Sequence, residues 1–448
     1  MRLVLTHAYF LHEDPREREI MRPYPPLGLL YISAWLKENG YVPTVLDSTF
    51  MNRSEWIEEL CETAPNIVAC YANLMTKVAL LERLSEAKKR LPNCHFVVGG
   101  PDVTYNVENY LRAGFDFVIS GEGEQSLLEL TQAIGQGQET FEIPGVSYLQ
   151  LNTLVTNDER SKIRELSSLP FPDRDAIPLE KYLSIWKTHH GQRTVNISTQ
   201  RGCPYTCKWC STAVYGQSYR RNDPDRVVAE ILDIKTRYHV EALWFVDDVF
   251  TVSHKWIKAL HAAFKKHDLH IAFECISRAE RLNDEILQLL KEMGCFRIWI
   301  GAESGSQRII DKMDRRVELT EVQAMIQRTQ AFGMEAGTFL MVGYPEENHE
   351  DIRLTMEHLE KAQPTLVTIT RAYPIKGTAL YQELELELNL PNWNTSTDRD
   401  IQIPVPYSDR YYQFAIRYLM NGWKAKREGS LKHRVKSKIS YQMMRWNK

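Results

Sequence analysis

Short apolar runs alternate with amphipathic helical stretches along most of this chain, and that alternation limits the folds open to it. In the first 140 residues, helix patterns over residues 27–39, 78–91 and 125–134 separate runs that are too short to be helices. Such a series predicts a parallel sheet that is covered by helices on both faces. The predicted strands are Arg2–Leu5, Val42–Leu46, Ile67–Tyr71, Phe96–Val98 and Phe115–Ile119.

A second series of strand–helix units follows after residue 193. Its predicted strands are Thr194–Ser198, Ala242–Val246, Ile271–Ile276, Phe296–Ile300, Thr338–Val342 and Leu366–Thr370. Six such units predict a partial parallel (β/α)6 barrel, whose functional residues collect at the carboxyl ends of the strands. Polar side chains do follow these strands directly, so we expect the site at that end.

A chain of 448 residues is long enough for two domains and an extension. We predict an α/β fold with a Rossmann-like domain over residues 1–140, a proline-rich linker over 141–192 and the barrel over 193–385. A small, mostly helical C-terminal extension is expected over residues 386–448.

Charge and composition exclude several classes of protein. The formal net charge is −3, which argues against binding nucleic acid through the whole surface. Eight cysteines in 448 residues fit a reducing, cytoplasmic compartment better than a disulfide scaffold. The N-terminal apolar run predicts a first buried strand rather than a signal peptide, and no segment has the length of a transmembrane helix.

Three cysteines, Cys203, Cys207 and Cys210, stand within eight residues in the run Arg-Gly-Cys-Pro-Tyr-Thr-Cys-Lys-Trp-Cys. Three thiolates on one short loop can hold three irons of a cubane cluster and leave the fourth iron open to a ligand. Structural zinc is an alternative, but it needs four protein ligands, and no further cysteine or paired histidine follows at finger-like spacing. A chance group of buried cysteines is the other alternative. The spacing favours an iron–sulfur cluster.

Glycine-rich turns follow two predicted strands of the first domain. The sequences are Gly-Gly-Pro-Asp from Gly99 and Gly-Glu-Gly-Glu from Gly121, and Gly28 follows a proline near the first helix. Bare backbone at such turns can cradle a nucleotide-like group on helix N-terminal amides. Ordinary turn chemistry is the alternative.

The cysteine loop, Trp209 before its third cysteine and the order of the strands resemble the radical S-adenosylmethionine superfamily. The glycine turns ahead of the loop resemble the cobalamin-binding domain of a large subfamily. This resemblance implies a [4Fe-4S] cluster, S-adenosylmethionine on the open iron and a 5'-deoxyadenosyl radical. It also implies bound cobalamin, and a short strand pair before the proline-rich segment. The implied cobalamin contacts are Gly28, Asp47, Asn73, Gly99, Gly100, Gly121 and Glu122.

One departure concerns the cobalt ligand. Mutase-type cobalamin domains carry Asp-x-His-x-x-Gly, whose histidine binds cobalt, whereas Asp47 is followed here by Ser-Thr-Phe-Met-Asn. Because the radical subfamily often lacks this histidine too, cobalamin would be held by its corrin edge and tail. His7 and His12 lie near the end of the first strand, where a solvated loop residue is expected.

The resemblance also implies contacts of S-adenosylmethionine at the barrel, although it assigns no catalytic residue. Trp209 would pack on the cluster or adenine, or only in the core. Asp247 or Asp248, after the second barrel strand, could instead cap the helix that follows, and Arg278 could form a surface ion pair with Glu280. The implied contacts are Trp209, Asp247 and Asp248 for the amino group, Arg278 for the carboxylate, Glu303 and Ser304 for ribose, and Gly343 for adenine.

The implied reaction is methylation of an unactivated carbon or phosphorus centre, with a small-molecule or peptide substrate and an electron donor such as flavodoxin or ferredoxin. Oxidative cyclisation or rearrangement without methyl transfer is the alternative. A sensor with a structural cluster is disfavoured, because it would not need polar residues at every barrel strand. The substrate stays open; pocket candidates are Tyr215, Tyr219, Tyr344, Arg371 and Tyr373.

The C-terminal segment is basic, with nine Lys or Arg against one Glu from Trp423 onward. Such a segment is most often a solvated helix, while contact with an anionic substrate or a membrane surface is the alternative.

Overall fold

The computed structural model describes residues 1–138 and 141–448. It forms two compact units. The first comprises residues 1–203, 212–242 and 391–397, and the second comprises residues 204–211, 243–390 and 398–448. The domain end that we predict at residue 140 lies outside the described residues.

The first unit contains a twisted sheet with the strand order β2-β1-β3-β4-β5-β6-β7. Neighbouring strands from β2 to β5 pair in parallel, whereas β6 and β7 continue the sheet antiparallel. The bounds are β1 (Leu3–His7), β2 (Thr44–Leu46), β3 (Ile67–Tyr71), β4 (His95–Gly99), β5 (Phe117–Ile119), β6 (Val146–Gln150) and β7 (Thr153–Thr156).

Helices connect these parallel strands, as the alternation predicts. Local signals set their ends: Asn52 and Glu55 form a reciprocal cap at the start of α3, and Gly114 ends α5 with a φ of 117° that favours glycine. The bounds are α1 (Pro15–Ile20), α2 (Leu27–Glu38), α3 (Arg53–Thr63), α4 (Lys77–Arg90), α5 (Val107–Ala113) and α6 (Gly123–Gly135). The predicted Rossmann-like domain is confirmed.

The segment that we predict as a linker carries regular structure of its own. Strands β6 and β7 are the implied strand pair, and Tyr148 of β6 packs against the rings of Phe117 and Phe141. After the proline-rich stretch comes α7 (Leu179–His190), whose Trp186 is buried and donates a hydrogen bond to the carbonyl of Pro23. The remaining elements of this unit are β8 (Thr194–Ile197), β9 (Gln200–Arg201), β10 (Arg220–Arg221) and α8 (Pro224–Tyr238).

Residues 391–397, which we predict as part of the C-terminal extension, belong to the first unit. Trp393 is the reason, because its ring packs edge-on against Tyr110 at 4.9 Å between centroids. The ammonium of buried Lys77 lies 4.7 Å from the same ring. The side chain of Trp393 therefore anchors this loop within the first unit.

The second unit contains the barrel strands in the order β15-β14-β13-β12-β11. Strands β12 to β15 pair in parallel. The strand bounds are β11 (Ala242–Phe245), β12 (Ala272–Ser277), β13 (Cys295–Glu303), β14 (Glu335–Val342) and β15 (Leu366–Arg371). The helix bounds are α9 (His254–Lys266), α10 (Asp284–Met293), α11 (Gln307–Lys312), α12 (Leu319–Ala331), α13 (His349–Ala362), α14 (Ala379–Leu384), α15 (Asp409–Glu428) and α16 (Leu431–Trp446).

Each of the six predicted barrel strands is present, β8 within the first unit and β11 to β15 as given above, and the α/β class with a helical C-terminus is confirmed. Helices α15 and α16 form a hairpin that is held at the start of α13. His349 lies 3.0 Å from the hydroxyl of Tyr411 and 3.1 Å from that of Tyr441, so one ring joins both helices. Within the described ranges, no helix is long and apolar enough to cross a membrane.

Candidate functional site

The cysteine loop follows β9. Cys203 is buried, Cys207 is half-buried and Cys210 is exposed, and a backbone hydrogen bond of 3.1 Å from Cys210 to Cys207 forms a turn. In the part of the chain that the structure describes, no three Cys, His, Asp or Glu side chains are placed to hold a single metal ion. A zinc site needs such convergence, whereas a cubane cluster holds each thiolate on a separate iron. Three thiols on one short loop match the three protein ligands of such a cluster.

Arg278 lies beside this loop, directly after β12. Its guanidinium donates a hydrogen bond to the sulfur of Cys207 at 3.4 Å, and it also contacts Glu280 and the carbonyl of Arg315. The ion pair of Arg278 with Glu280 is present, but it is buried rather than on the surface, because Arg278 is 5% exposed. Burial alone would lower the pKa of Arg278, but Glu280 and Cys207 outweigh it and raise that pKa. A permanent positive charge thus faces a candidate thiolate.

Glu303 and Ser304 stand at the carboxyl end of β13. The pairing register shifts there, and Glu303 takes a φ of 65°, in the left-handed region. Burial raises the pKa of Glu303 to about 7, against the opposing charges of Arg315 and Arg278. Ser304 is fully buried, and its hydroxyl accepts a hydrogen bond of 3.1 Å from the backbone of Ser306. Both residues are where the sequence predicts them, at a strand end.

The remaining predicted contacts of S-adenosylmethionine differ in exposure. Asp247, after β11, is buried, whereas Asp248 is exposed. Trp209 packs against an apolar cluster that includes Ile309 and Tyr344. The core-packing alternative for Trp209 therefore holds in the structure, and pocket candidate Tyr344 belongs to the same core.

Gly343, after β14, has no room for a side chain. Its φ is 79°, and an added Cβ would lie 2.5 Å from Nε of Arg371. Its amide donates a hydrogen bond of 2.6 Å to Glu347, a buried carboxyl whose second oxygen has no hydrogen-bond partner. Our sequence analysis missed Glu347; its signal was a tandem Glu pair before Asn348, the cap of α13.

The glycines of the first unit fall into two kinds. An added Cβ would meet nothing within 4 Å at Gly28 or Gly121. At Gly100, with a φ of 112°, it would lie 2.5 Å from the carbonyl oxygen of Ala72, and at Gly99 it would contact Ile119. Gly28 and Gly121 thus offer bare backbone for a large ligand, which fits cobalamin, while Gly100 is required by close packing.

Asp47 lies in a buried network. Its carboxylate is 3.0 Å from Nε2 of His7 and accepts a hydrogen bond of 2.7 Å from Tyr182. Burial would raise the pKa of Asp47, but these hydrogen bonds outweigh it and lower the pKa. The interpretation of His7 as a solvated residue is wrong, because it is 4% exposed and also contacts Ser48 at 3.0 Å.

Asn73 organises the turn before α4. Its side-chain oxygen accepts hydrogen bonds from the amides of Met75 at 2.8 Å and Thr76 at 3.1 Å. This turn lies beyond the carboxyl end of β3, where ligands of parallel sheets bind. The predicted contact of Asn73 with cobalamin stays a prediction.

Glu122 and Glu124 form ion pairs with buried Arg201, with nitrogen–oxygen distances of 2.7 and 2.5 Å. Arg220 adds a second pair to Glu122 at 2.8 Å. Pocket candidate Tyr215 lies against Arg201, with its ring centroid 5.4 Å from the guanidinium carbon. Sequence reasoning missed Arg201, although it stands two residues before Cys203. It fixes the Gly-Glu-Gly-Glu turn to the strand that leads into the cysteine loop.

Family models match both halves of the chain. A B12 binding domain matches residues 19–131, and the Radical SAM superfamily matches residues 197–359. The chain carries the domain of radical S-adenosylmethionine enzymes and, ahead of it, a B12 binding domain. It is an enzyme of that class, and its cofactors are S-adenosylmethionine, a [4Fe-4S] cluster and cobalamin.

Individual proteins agree with this assignment. An uncharacterized methyltransferase of Pyrococcus horikoshii is 28% identical over 377 residues, which cover 83% of this chain and 80% of that protein. An anaerobic magnesium-protoporphyrin IX monomethyl ester cyclase of Rubrivivax gelatinosus is 26% identical over 395 residues, covering 86% and 70%. The structure of the cobalamin-dependent S-adenosylmethionine radical enzyme OxsB with aqua-cobalamin shares the fold, with a TM-score of 0.77 at 14% identity, covering 100% of this chain and 79% of that one.

We expect Gly343→Ala to destabilise the second unit by about 1–2 kcal/mol more than Gly429→Ala. Both glycines have positive φ, but an added Cβ meets Arg371 at Gly343 and nothing within 4 Å at Gly429. Urea unfolding measures the two losses. Equal losses would show that Arg371 moves away freely, contrary to its stacking 3.8 Å from the ring of Tyr412.

Glu347 makes stability depend on pH. Burial and nearby Asp351 raise the pKa of Glu347 from 4.5 to about 8. The folded state therefore favours the neutral carboxyl, whose stabilising contribution is full below pH 4.5 and is lost as pH rises through about 8. Glu347→Gln keeps the acceptor for Gly343 without the charge. Its free energy of unfolding, relative to wild type, should rise from about pH 5 to about pH 9.

The neighbouring Glu346→Gln is the matched control. Glu346 is exposed, and its ion pair with Lys312 lowers its pKa, so this variant should show no such gain toward alkaline pH. A flat difference between Glu347→Gln and wild type would contradict the assigned titration.

Proposed function

We propose that this enzyme is a cobalamin-dependent radical S-adenosylmethionine methyltransferase that methylates an unactivated carbon of a biosynthetic intermediate. The observation that carries the proposal is the combination in one chain of a B12 binding domain and a radical domain. The similarity to an uncharacterized methyltransferase over 83% of the chain supports it. When bound, the cluster and S-adenosylmethionine would supply a 5'-deoxyadenosyl radical, and cobalamin would carry the methyl group.

The chain's own residues have positioning roles in this proposal. Cys203, Cys207 and Cys210 would hold the cluster as thiolates, and Arg278 would stabilise the charge on Cys207. A guanidinium that already contacts Glu280 and a backbone carbonyl is held in one orientation, so it can aim at a cofactor carboxylate without rearrangement.

Other residues would bind the organic parts of the cofactors. Glu303 has a pKa near 7 and can accept or donate a hydrogen bond to a ribose hydroxyl. Gly343, whose amide donates to Glu347, would meet adenine with its carbonyl oxygen as the acceptor. Gly28 and Gly121 would present bare backbone to cobalamin, while Asp47, engaged by His7 and Tyr182, would shape that loop from behind.

The two products formed from S-adenosylmethionine test methyl transfer without knowledge of the substrate. Methylation consumes one S-adenosylmethionine as methyl donor, which leaves S-adenosylhomocysteine, and another as radical source, which leaves 5'-deoxyadenosine. We expect the reduced, reconstituted enzyme to form both, with S-adenosylhomocysteine formation depending on added cobalamin. Formation of 5'-deoxyadenosine alone, with and without cobalamin, would overturn the proposal.

A cobalamin-containing cyclase is the second candidate, and the similarity to the Rubrivivax cyclase over 86% of the chain favours it. In that case the substrate gains no carbon, and 5'-deoxyadenosine accumulates without S-adenosylhomocysteine. Product mass separates the two reactions once a substrate is found.

Enzymes of this superfamily act on small molecules and need a reductant. For this chain we infer a small-molecule or peptide substrate and a flavodoxin or ferredoxin as the electron donor. A cytoplasmic location is inferred as well, because thiolate ligands persist in a reducing compartment.

A further inference from the structure

Helix α16 exposes an apolar stripe to solvent. Leu431 is 72% exposed, Val435 48%, Ile439 57% and Trp446 78%. Since successive helix residues are rotated by about 100°, these four positions fall within about 80° of one another. The stripe, which we call the α16 stripe, runs for about 22 Å along the helix at about 1.5 Å per residue. Exposed Gln442 lies in the same sector and interrupts it before Trp446.

The α16 stripe lies on the far side of the helix from its packed face. The buried residues of α16 are Ser437, Ser440 and Met444. On the same angular scale they centre roughly 170° from the stripe. Two serines and Met444 therefore face the protein, while Leu431, Val435, Ile439 and Trp446 face solvent, which is unusual for a surface helix.

Basic side chains border the α16 stripe on both sides. Lys432 and Lys436 lie along one edge, and Arg434, Lys438 and Arg445 lie along the other, all of them exposed. No acidic residue occurs between residues 431 and 446. A linear apolar stripe with cationic borders is complementary to a surface whose interior is apolar and whose outer layer is anionic.

We propose that the α16 stripe docks on an anionic lipid surface, with α16 lying in the plane of the membrane. Apolar side chains would enter the acyl boundary, the borders would meet lipid phosphates, and Trp446 would sit at the interface, where tryptophan is favoured. Membrane-bound enzyme would then meet substrates that partition into lipid. The proposal stands apart from the methyl transfer, because the stripe belongs to no cofactor contact named above.

Flotation of the full-length protein with vesicles tests this docking. We expect binding to vesicles with about 30% phosphatidylglycerol in phosphatidylcholine, and at least ~10-fold weaker binding to phosphatidylcholine alone. The variant L431Q/V435Q/I439Q should bind anionic vesicles at least ~10-fold more weakly than wild type, because it keeps every charge and loses the apolar contacts. These side chains are exposed, so the variant should fold, which circular dichroism verifies.

Variants that remove lysine charges from α16 give a second test of the docking. Replacing Lys432, Lys436 and Lys438 together by Gln should weaken binding at least ~10-fold, since each basic residue near an anionic membrane contributes about 1 kcal/mol. The matched control replaces Lys255, Lys265 and Lys266, which are exposed on α9 of the same unit, and should bind like wild type.

Several results would overturn the proposal. They are failure of wild type to float with anionic vesicles, equal binding by L431Q/V435Q/I439Q, and equal loss in the α9 control. A concentration-dependent dimer in gel filtration that L431Q/V435Q/I439Q abolishes would also overturn it, because a second copy of the chain would then cover the stripe.

Discussion

Replacing Arg201 by Ala should destabilise the first unit by about 3–5 kcal/mol, the range for removal of one partner from a buried ion pair. Arg201 is 7% exposed and holds two buried carboxylates, Glu122 and Glu124. Arg220 still compensates Glu122 in the variant, whereas Glu124 loses its ion pair with Arg201. Urea unfolding of the protein without cofactors measures the loss.

Two further variants make this expectation specific. Arg193→Ala removes an ion pair with Glu180, whose side chain is 68% exposed, and should cost no more than about 1 kcal/mol. In the background of Glu124→Gln, Arg201→Ala should cost less than in wild type, because no buried carboxylate is left uncompensated at that position. Equal costs for Arg201→Ala in both backgrounds would contradict the coupling.

Replacing Cys207 by Ala should abolish cluster assembly and radical formation. The loop offers three thiols, and a cubane that is held by two of them loses its anchor on the third iron. Residues that merely support metal ligands already change affinity or activity by about 10–100-fold, so loss of a ligand should reduce 5'-deoxyadenosine formation by at least ~100-fold. Iron analysis and product chromatography after anaerobic reconstitution measure both effects.

Cys61→Ala is the matched control, because Cys61 is half-buried on α3 and lies outside the loop. It should keep wild-type iron and radical formation. If Cys207→Ala also kept them, the cysteine loop would not bind the cluster, and the roles assigned to Arg278 would have no basis.

Much of the architecture follows from local pattern. Ile67–Tyr71 has the predicted bounds, because it is a continuous apolar run between clear turn signals. The same pattern predicts which polar residues belong to the site, since a parallel topology brings the residues after each strand to one edge of the sheet. Glu303 and Gly343 stand at such ends.

Pairings between distant residues could not be predicted from one sequence. Arg201 meets Glu124 across 77 positions, and Asp47 meets Tyr182 across 135. A charged residue inside an apolar run signals burial, but its partner depends on how strands and loops are arranged in space. For the same reason His7 looked like a loop residue, although the partner that buries it is Asp47.

The exposed side of α16 is another example. The sequence shows nine basic residues from Trp423 onward, and such a run predicts a solvated helix more often than a membrane contact. Only the packing of Ser437 and Met444 against the protein shows which face is left to solvent. Side-chain direction in a helical hairpin depends on the partner helix, which a single helix pattern does not contain.

The proposed reaction requires that one chain bind both an iron–sulfur cluster and cobalamin, and the iron and cobalt content of the purified protein shows whether it does. The wild-type protein would be reconstituted without oxygen, offered hydroxocobalamin and passed through gel filtration, and iron, sulfide and cobalt per chain would be measured. We predict about four irons, about four sulfides and about one cobalt. About four irons without cobalt would contradict a cobalamin-dependent reaction, and iron near zero would contradict the radical chemistry as a whole.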